Sequence, residues 1–522
     1  MHKVIVNDKE FFCQDGENLL KFLLKNGIYI ENPCNGKGTC KKCGAFLEKL
    51  SEDSDKENKT NFVLSCETEI EEDIRVTLEK ENEGLSILTE GNLPNFEKNF
   101  RDGYGVSVDI GTTTIALDLV NLKNGDFISI GSVNPQKAYG LDVLTRISYE
   151  IENEDGKDNL HKKIIDEINR LTKILTDKWG IKQEDIIEFD ISANTTMTHY
   201  LLGLEAKSLG VFPYKTKFDG TYSIRARELG LLSNENAILY TAAHVSSFIG
   251  GDITSGLYIS GLYKSNKNAL FLDIGTNGEM VLIKDGKMYG ASAAAGPALE
   301  GMNISSGMRG ENGAIEDLRI SEDGLYLKVI GDKEPLGICG SGILSSISEL
   351  VRCGFVKDSG AFIKLNDIDE DDYRRKYLRL DGNKREFVLD EEKNIFISQK
   401  DIRSVQLAKG AILSAFLSLL KESDTKLDDI DEVLIAGQFG SYLSRQALVG
   451  AGILPKLLED RINYIGNSSK IGSYIMLMEN GAREKIEKIA SDVKHIELSL
   501  DENYEKLFSK CLLFKEVDLE NV

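Results

Sequence analysis

VSVDIGTTTIALDLVNLKNGDF (106–127) and LFLDIGTNGEMVLIKDGKMY (270–289) are two versions of one plan. Each runs as an apolar strand through Asp-Ile-Gly-Thr, continues as a second strand, and turns back at a tight Asn-Gly or Asp-Gly. Asp109, Gly111 and Thr112 fall on Asp273, Gly275 and Thr276. A four-residue match alone is weak; the shared strand-turn-strand context points to two similar α/β halves facing one another. A strand ending in Asp, followed by Gly and small hydroxyl residues, suits phosphate and Mg2+. The carboxylate can hold a hydrated Mg2+, glycine lets the backbone come close, and threonine hydroxyls and N–H groups can donate to phosphate oxygens. The candidate residues are therefore Asp109, Gly111, Thr112, Thr113 and Thr114 in the first loop, and Asp273, Gly275, Thr276, Asn277 and Gly278 in the second. Plain strand-connecting turns are the competing reading.

Further along, EVLIAGQFGSYL (432–443) reads as a strand followed by a Gly-rich turn, with Gly437, Gln438 and Gly440 as candidate contacts to a nucleoside. HVSSFIGGDI (244–253) carries Asp252, which reads first as an ordinary helix cap and is also a candidate for orienting an attacking water. GICGSGILSSISELV (337–351) places Gly337, Gly340 and Gly342 ahead of a helix with an apolar face, which fits phosphate contact or simple loop-to-helix packing. His199 in SANTTMTHYLLG (192–203) reads as a packing histidine.

The N-terminal 80 residues have another texture. KVIVNDKEFFC reads as a hairpin, with Val4 and Val6 alternating with polar neighbours. ENLLKFLLKNG reads as a helix with Leu19, Leu20, Leu23 and Leu24 in one stripe and Asn26-Gly27 as its stop. CNGKGTCKKC (34–43) then carries Cys34, Cys40 and Cys43, and a fourth cysteine, Cys66, follows in LSC. A structural zinc site usually pairs two short C-x2-C knuckles, and here the second is missing. Three close thiolates and a distant fourth fit a 2Fe-2S cluster better. Gly36, Gly38 and Gly44 allow the loop to wrap such a cluster. Cys13 lies outside the pattern. Residues 81–103, with Pro94, read as a linker, and 104–522 as the two-halved α/β region.

Over 522 residues, a formal net charge of −22 argues against non-specific binding to nucleic acid or an anionic membrane, both of which need a cationic face, and leaves a local basic patch open. The chain shows no apolar run of about 18 residues and no basic-then-apolar leader. The expectation is a cytoplasmic protein with no membrane and no nucleic-acid partner.

The N-terminal hairpin, helix, cysteine loop and closing LSC resemble the β-grasp fold of 2Fe-2S ferredoxins. The paired loops resemble the first and second phosphate motifs of the nucleotide-binding superfamily of sugar kinases, actin and heat-shock chaperones, with EVLIAGQFGSYL as its adenosine motif. Gln438 stands where that motif usually has its second glycine. The implied fold is α/β and α+β: a β-grasp ferredoxin domain (1–80), a linker (81–103) and a duplicated ribonuclease-H-like ATPase (104–522). The whole arrangement looks like the ATP-dependent reductive activators of corrinoid proteins, through VNPQKAYGLDVLTRI (133–147), ANTTMTHYLLG (193–203), SAAAGPALEGMNISSGMRGENGAIE (292–316) and GICGSGIL (337–344). The resemblance implies a 2Fe-2S cluster held by Cys34, Cys40, Cys43 and Cys66, ATP with Mg2+, and transfer of one electron to cob(II)amide in anaerobic one-carbon metabolism. It also implies a corrinoid protein as acceptor, a low-potential donor such as ferredoxin or flavodoxin, and a homodimer. The short stretch between the ferredoxin unit and GVSVDIGTTT leads to the expectation that a separate middle domain of longer relatives is missing. Competing readings are an activator of another low-potential iron-sulfur enzyme, a small-molecule kinase with an ancillary cluster, and a redox sensor.

Overall fold

The computed structural model describes residues 1–6, 9–26, 28, 30, 43–50, 60–78, 94–382, 384–437, 443–515 and 517. The chain divides into two compact units: Met1–Leu85 with Pro135–Gly156, and Ser86–Asn134 with Lys157–Val522. Residues 135–156, which the sequence reading left within the ATPase region, thus group with the N-terminal unit. Most of the expected linker, and with it the 1–80 boundary, lies outside the described residues.

In the N-terminal unit, His2–Val6 and Lys9–Cys13 pair antiparallel, with Val4, Val6 and Cys13 buried. The five-stranded sheet runs Lys9–Cys13, His2–Val6, Ile74–Thr77, Gly44–Lys49, Asn61–Leu64. Its central pair, His2–Val6 with Ile74–Thr77, is parallel. This mixed sheet with one helix across it is the expected β-grasp. The helix, Leu19–Lys25, is capped by Asn18, whose side chain accepts from the Lys21 N–H. It buries Leu19, Leu20, Phe22 and Leu23. Phe22 takes the place expected of Leu24, because its ring meets Phe11 edge-on with centroids 6.2 Å apart. In the 135–156 segment, a reciprocal capping box between Asp142 and Thr145 starts the helix Val143–Glu152. The buried Arg146 donates to the Gln136 side chain and the Gly140 carbonyl.

The second unit holds two six-stranded sheets of one design. The first runs Phe127–Val133, Thr114–Asn121, Tyr104–Ile110, Ile186–Ala193, Ile238–Thr241, Ser223–Arg225. Three antiparallel strands are followed by two that run parallel to Tyr104–Ile110. The second runs Ile462–Gly466, Glu432–Ala436, Ala269–Ile274, Gly278–Lys284, Lys287–Ala293, Val493–His495. Here too the first three strands in chain order are antiparallel neighbours, and the next two join parallel on the other side. The repeated Asp-Ile-Gly-Thr plan is therefore a repeat of the whole sheet, as a duplicated ribonuclease-H-like fold requires.

Two helices lie where the halves meet. Gly251–Ser260 packs against Ser468–Met478, which also packs on Tyr104–Ile110 and Ile186–Ala193. The crossing is close because Gly472 carries no side chain: a Cβ there would sit 2.3 Å from the Cβ of Ser255. Lys470 of the same helix reaches Asp118 at 2.7 Å, with both side chains nearly fully buried, and this pins the helix to the first hairpin. One helix among the described residues, Gln399–Glu422, has the length and composition of a membrane span. It is a core helix, burying Ile402, Val405, Ile412, Phe416 and Leu419 in the second half.

Candidate functional site

Asp109 is the penultimate residue of the strand Tyr104–Ile110, and Asp273 holds the same place in Ala269–Ile274. Each loop closes on itself: the Gly111 N–H donates to the Thr114 carbonyl, and the Gly275 N–H to that of Asn277, both at 2.9 Å. The third strand of each half then ties back to its loop in the same way. The Asn134 N–H donates to Thr113 O, and the Gly296 N–H to Thr276 O, each at 2.8 Å. Asn134 also donates from its side chain to Gly111 O, and Asn194 donates to the Thr112 hydroxyl. These ties fix the backbones of both loops at the strand ends.

The two loops meet through a residue that sequence reasoning missed. Glu300, at the end of the turn Pro297–Glu300, accepts the Thr276 hydroxyl on Oε1 at 2.8 Å and the Thr113 hydroxyl on Oε2 at 3.3 Å. One carboxylate thus bridges both halves of the duplication. The only signal in the sequence was a lone acidic residue in the small-residue run SAAAGPALEGMN.

Asp109 and Asp273 match in sequence and differ in surroundings. Asp109 receives the Asn467 side-chain amide at 2.9 Å and the Ser469 hydroxyl at 2.6 Å, both from the start of the helix Ser468–Met478. Asp273 faces other acids instead. Burial, then the charges of Asp109 and Glu300, push its carboxyl up to about 7. Asp252 stands second in Gly251–Ser260, where Gly250 occupies the cap position. Burial, then the charges of Asp273 and Asp109, push Asp252 up to about 8. The same burial, with Asp252 and Asp273 nearby, raises Glu279, and burial also raises Glu300. Asp252 is therefore electrostatically in view of both loops, which a cap would not need to be. Such mutual repulsion among carboxylates is relieved by a divalent cation. Among the described residues no three His, Cys, Asp or Glu side chains form a group that could hold a metal ion alone. Mg2+ bound here would complete its octahedron with phosphate oxygens and water, its usual habit.

The third loop begins at Gly437, directly after the strand Glu432–Ala436, whose last residue, Ala436, pairs with Asp273 in the sheet register. Its φ is +88°, and a Cβ would meet Asp273 Oδ1 at 2.5 Å, so glycine is required twice over. Gln438 and Gly440 lie outside the described residues. Gly342, by contrast, serves packing: a Cβ there would sit 2.1 Å from Ile315 O. His199 is a packing residue as expected, held between the Thr195 carbonyl and the Lys217 N–H.

In the N-terminal unit, the register of Gly44–Lys49 against Asn61–Leu64 pairs Gly44 with Leu64. That pairing sets Cys43 beside the turn Ser65–Glu67, where the Ser65 N–H donates to Cys43 O at 2.7 Å. The Cys66 N–H donates to Cys43 Sγ at 3.5 Å. Asn18, while capping its helix, also donates to the Cys66 carbonyl at 3.0 Å and fixes that turn. Two of the four predicted thiols are thus brought together, with an amide aimed at sulfur as in iron-sulfur sites. Cys34 and Cys40 lie outside the described residues. Cys13 is buried in the hairpin.

A family model described as the C-terminal domain of RACo, the ASKHA domain, matches residues 267–522. One described as the RACo middle region matches 104–265, and one described as a 2Fe-2S iron-sulfur cluster binding domain matches 4–71. The middle region is therefore present, as the half that carries the first Asp-Ile-Gly-Thr loop, and the expectation that a middle domain is missing is corrected. The chain is 32% identical over 444 residues to the corrinoid activation enzyme RamQ of Eubacterium limosum, covering 83% of this chain and 74% of that protein. It is 23% identical over 436 residues to a [Co(II) methylated amine-specific corrinoid protein] reductase of Methanosarcina barkeri, covering 78% and 76%. A solved structure titled as a reductive activator for a corrinoid, iron-sulfur protein superposes with a TM-score of 0.71 at 28% identity, covering 100% of this chain and 99% of that one.

Proposed function

The chain belongs to the RACo family of corrinoid activation enzymes, and from that premise we propose that it passes one electron from a 2Fe-2S cluster to the cob(II)amide of a corrinoid protein, driven by ATP hydrolysis. A cluster held here would supply the one electron that takes the partner's cobalt from Co(II) to Co(I) and regenerates cob(I)amide for methyl transfer in anaerobic one-carbon metabolism. The observation that carries the reading is the joining, in one chain, of the Cys43–Cys66 pair with two phosphate-type loops bridged by Glu300.

Chemistry explains why a carrier would need ATP. Clusters of this type sit near about −400 mV, and each ~59 mV uphill costs roughly tenfold in equilibrium for one electron. Closure of two lobes around a nucleotide is a source of the missing free energy. In this assignment Cys34, Cys40, Cys43 and Cys66 hold the cluster, which supplies one-electron reduction at low potential. Thr112, Thr113, Thr114 and Gly275–Gly278 receive the phosphates, while Gly437, Gln438 and Gly440 lie on the adenosine side. Asp273 and Asp109 hold hydrated Mg2+, and Asp252 orients the attacking water and takes its proton. Its raised affinity for a proton suits that role. A low-potential ferredoxin or flavodoxin as donor, a homodimeric state and a cytoplasmic location complete the proposal.

The test is anaerobic mixing of the reduced protein with a cob(II)amide-loaded corrinoid protein, with and without ATP, followed by absorbance. ATP-dependent loss of the cob(II)amide band supports the reading. Phosphorylation of a small metabolite without cobalt reduction refutes it.

A further inference from the structure

Glu300 occupies the hydroxyls that a bound phosphate would use. Thr113 and Thr276 each accept, on the backbone carbonyl, the return tie of their own half, and each spends its hydroxyl proton on a different oxygen of the same carboxylate. The turn that carries Glu300 is itself fastened to the second loop, through the Gly296 N–H and Thr276 O. The first half has the equivalent backbone tie, from Asn134 to Thr113, and supplies no acid there. Glu300 is thus an addition made in one half only, aimed at the seam of both.

Resting on the ATP reading above, we propose that Glu300 makes the phosphate site select metal-bound nucleotide. A phosphate oxygen accepting from Thr113 or Thr276 lies beside the Glu300 carboxylate, with Asp273 and Asp109 also facing the loops. Two anions so close in a partly buried cleft repel strongly. A divalent cation between them turns that repulsion into a bridge, with the phosphate and the carboxylates as its ligands or as acceptors from its waters. Metal-free nucleotide meets only the repulsion. Without Glu300 the two hydroxyls would be free to serve phosphate with or without a metal.

The experiment measures equilibrium binding of ATP to the full-length protein by calorimetry, in Mg2+ and again in EDTA, for wild type, Glu300→Gln and Glu300→Asp. Wild type is expected to bind MgATP and to bind metal-free ATP far more weakly. Glu300→Gln is expected to bind metal-free ATP at least tenfold more tightly than wild type and so to lose most of the wild-type preference for MgATP over metal-free ATP. Glu300→Asp, which keeps the charge, is expected to retain the wild-type metal dependence. An unchanged metal-free affinity in Glu300→Gln overturns the inference, and so does equal weakening of both affinities, which would make Glu300 only a brace between the loops. Failure of wild type to bind MgATP at all sinks the ATP reading, and this inference with it.

Discussion

The Ser469 hydroxyl donates to Asp109 Oδ1 at 2.6 Å, joining the first phosphate-type loop to a helix at the far end of the chain. Asn467 takes the other oxygen of the same carboxylate at 2.9 Å. Asp109 is thereby held by fixed donors, while its sequence twin Asp273 faces Asp109 and Glu300. The duplication has diverged into one anchored acid and one poised acid.

That anchoring has a measurable strength. A hydrogen bond to a charged, partly buried group contributes roughly 1.5–3 kcal/mol. Ser469→Ala is expected to lower the stability of the nucleotide-binding unit by about 2 kcal/mol, read as a lower urea midpoint. The visible spectrum of the cluster should not change. An unaltered midpoint would mean that Asp109 finds its hydrogen bonds elsewhere.

Asp252 makes stability depend on pH in a direction opposite to that of most salt-bridged acids. Burial and its acidic neighbours push it up to about 8, whereas an aspartate in an unfolded chain ionises near ~3.9. Between those values the folded protein holds a proton that the unfolded chain has lost. Stability therefore falls as pH rises through this window and levels off above it. Asp252→Asn cannot ionise, so it is expected to gain stability over the parent at pH 8 and much less at pH 5. Thermal midpoints in EDTA at the two pH values decide this, and an equal gain at both would rule out titration as the cause.

Asp273→Ala is expected to leave the cluster spectrum intact and to lower ATP-dependent cobalt reduction by at least a hundredfold. Removing a metal-holding carboxylate costs transition-state charge stabilisation of about 3 kcal/mol or more. Activity near the wild-type level would reduce the second loop to a strand connector.

Cys43→Ser and Cys66→Ser are each expected to abolish the visible absorbance of the cluster while MgATP binding persists. The two sites lie in different compact units, each with its own core. Retained absorbance in either variant would remove that cysteine from the ligand set.

Much of this was legible in the chain because the signals are local. Alternation at Val4 and Val6, the stop at Asn26, the cysteine spacing and the repeated Asp-Ile-Gly-Thr all act within a few residues, where backbone preference and side-chain period are set. The twice-used strand plan carried the two halves of the ATPase, and the cysteine loop carried the cluster module. Glu300, Asn467 and Ser469 carry no such local mark. They matter because a turn and a helix that both follow strands of the second sheet reach the first loop, which depends on packing across hundreds of residues. The replacement of Leu24 by Phe22 in the first core has the same origin, since it turns on the Phe11 ring across the sheet. By itself the sequence determined which side chains are on offer: cysteines at cluster spacing, and paired acids followed by hydroxyls at two strand ends. Only the tertiary structure decided that Asp109 is fastened, that Asp273 and Asp252 are buried among other acids, which raises their affinity for a proton, and that Glu300 spans the seam. Electrostatic energy depends on distance and burial, and neither is written in residue order.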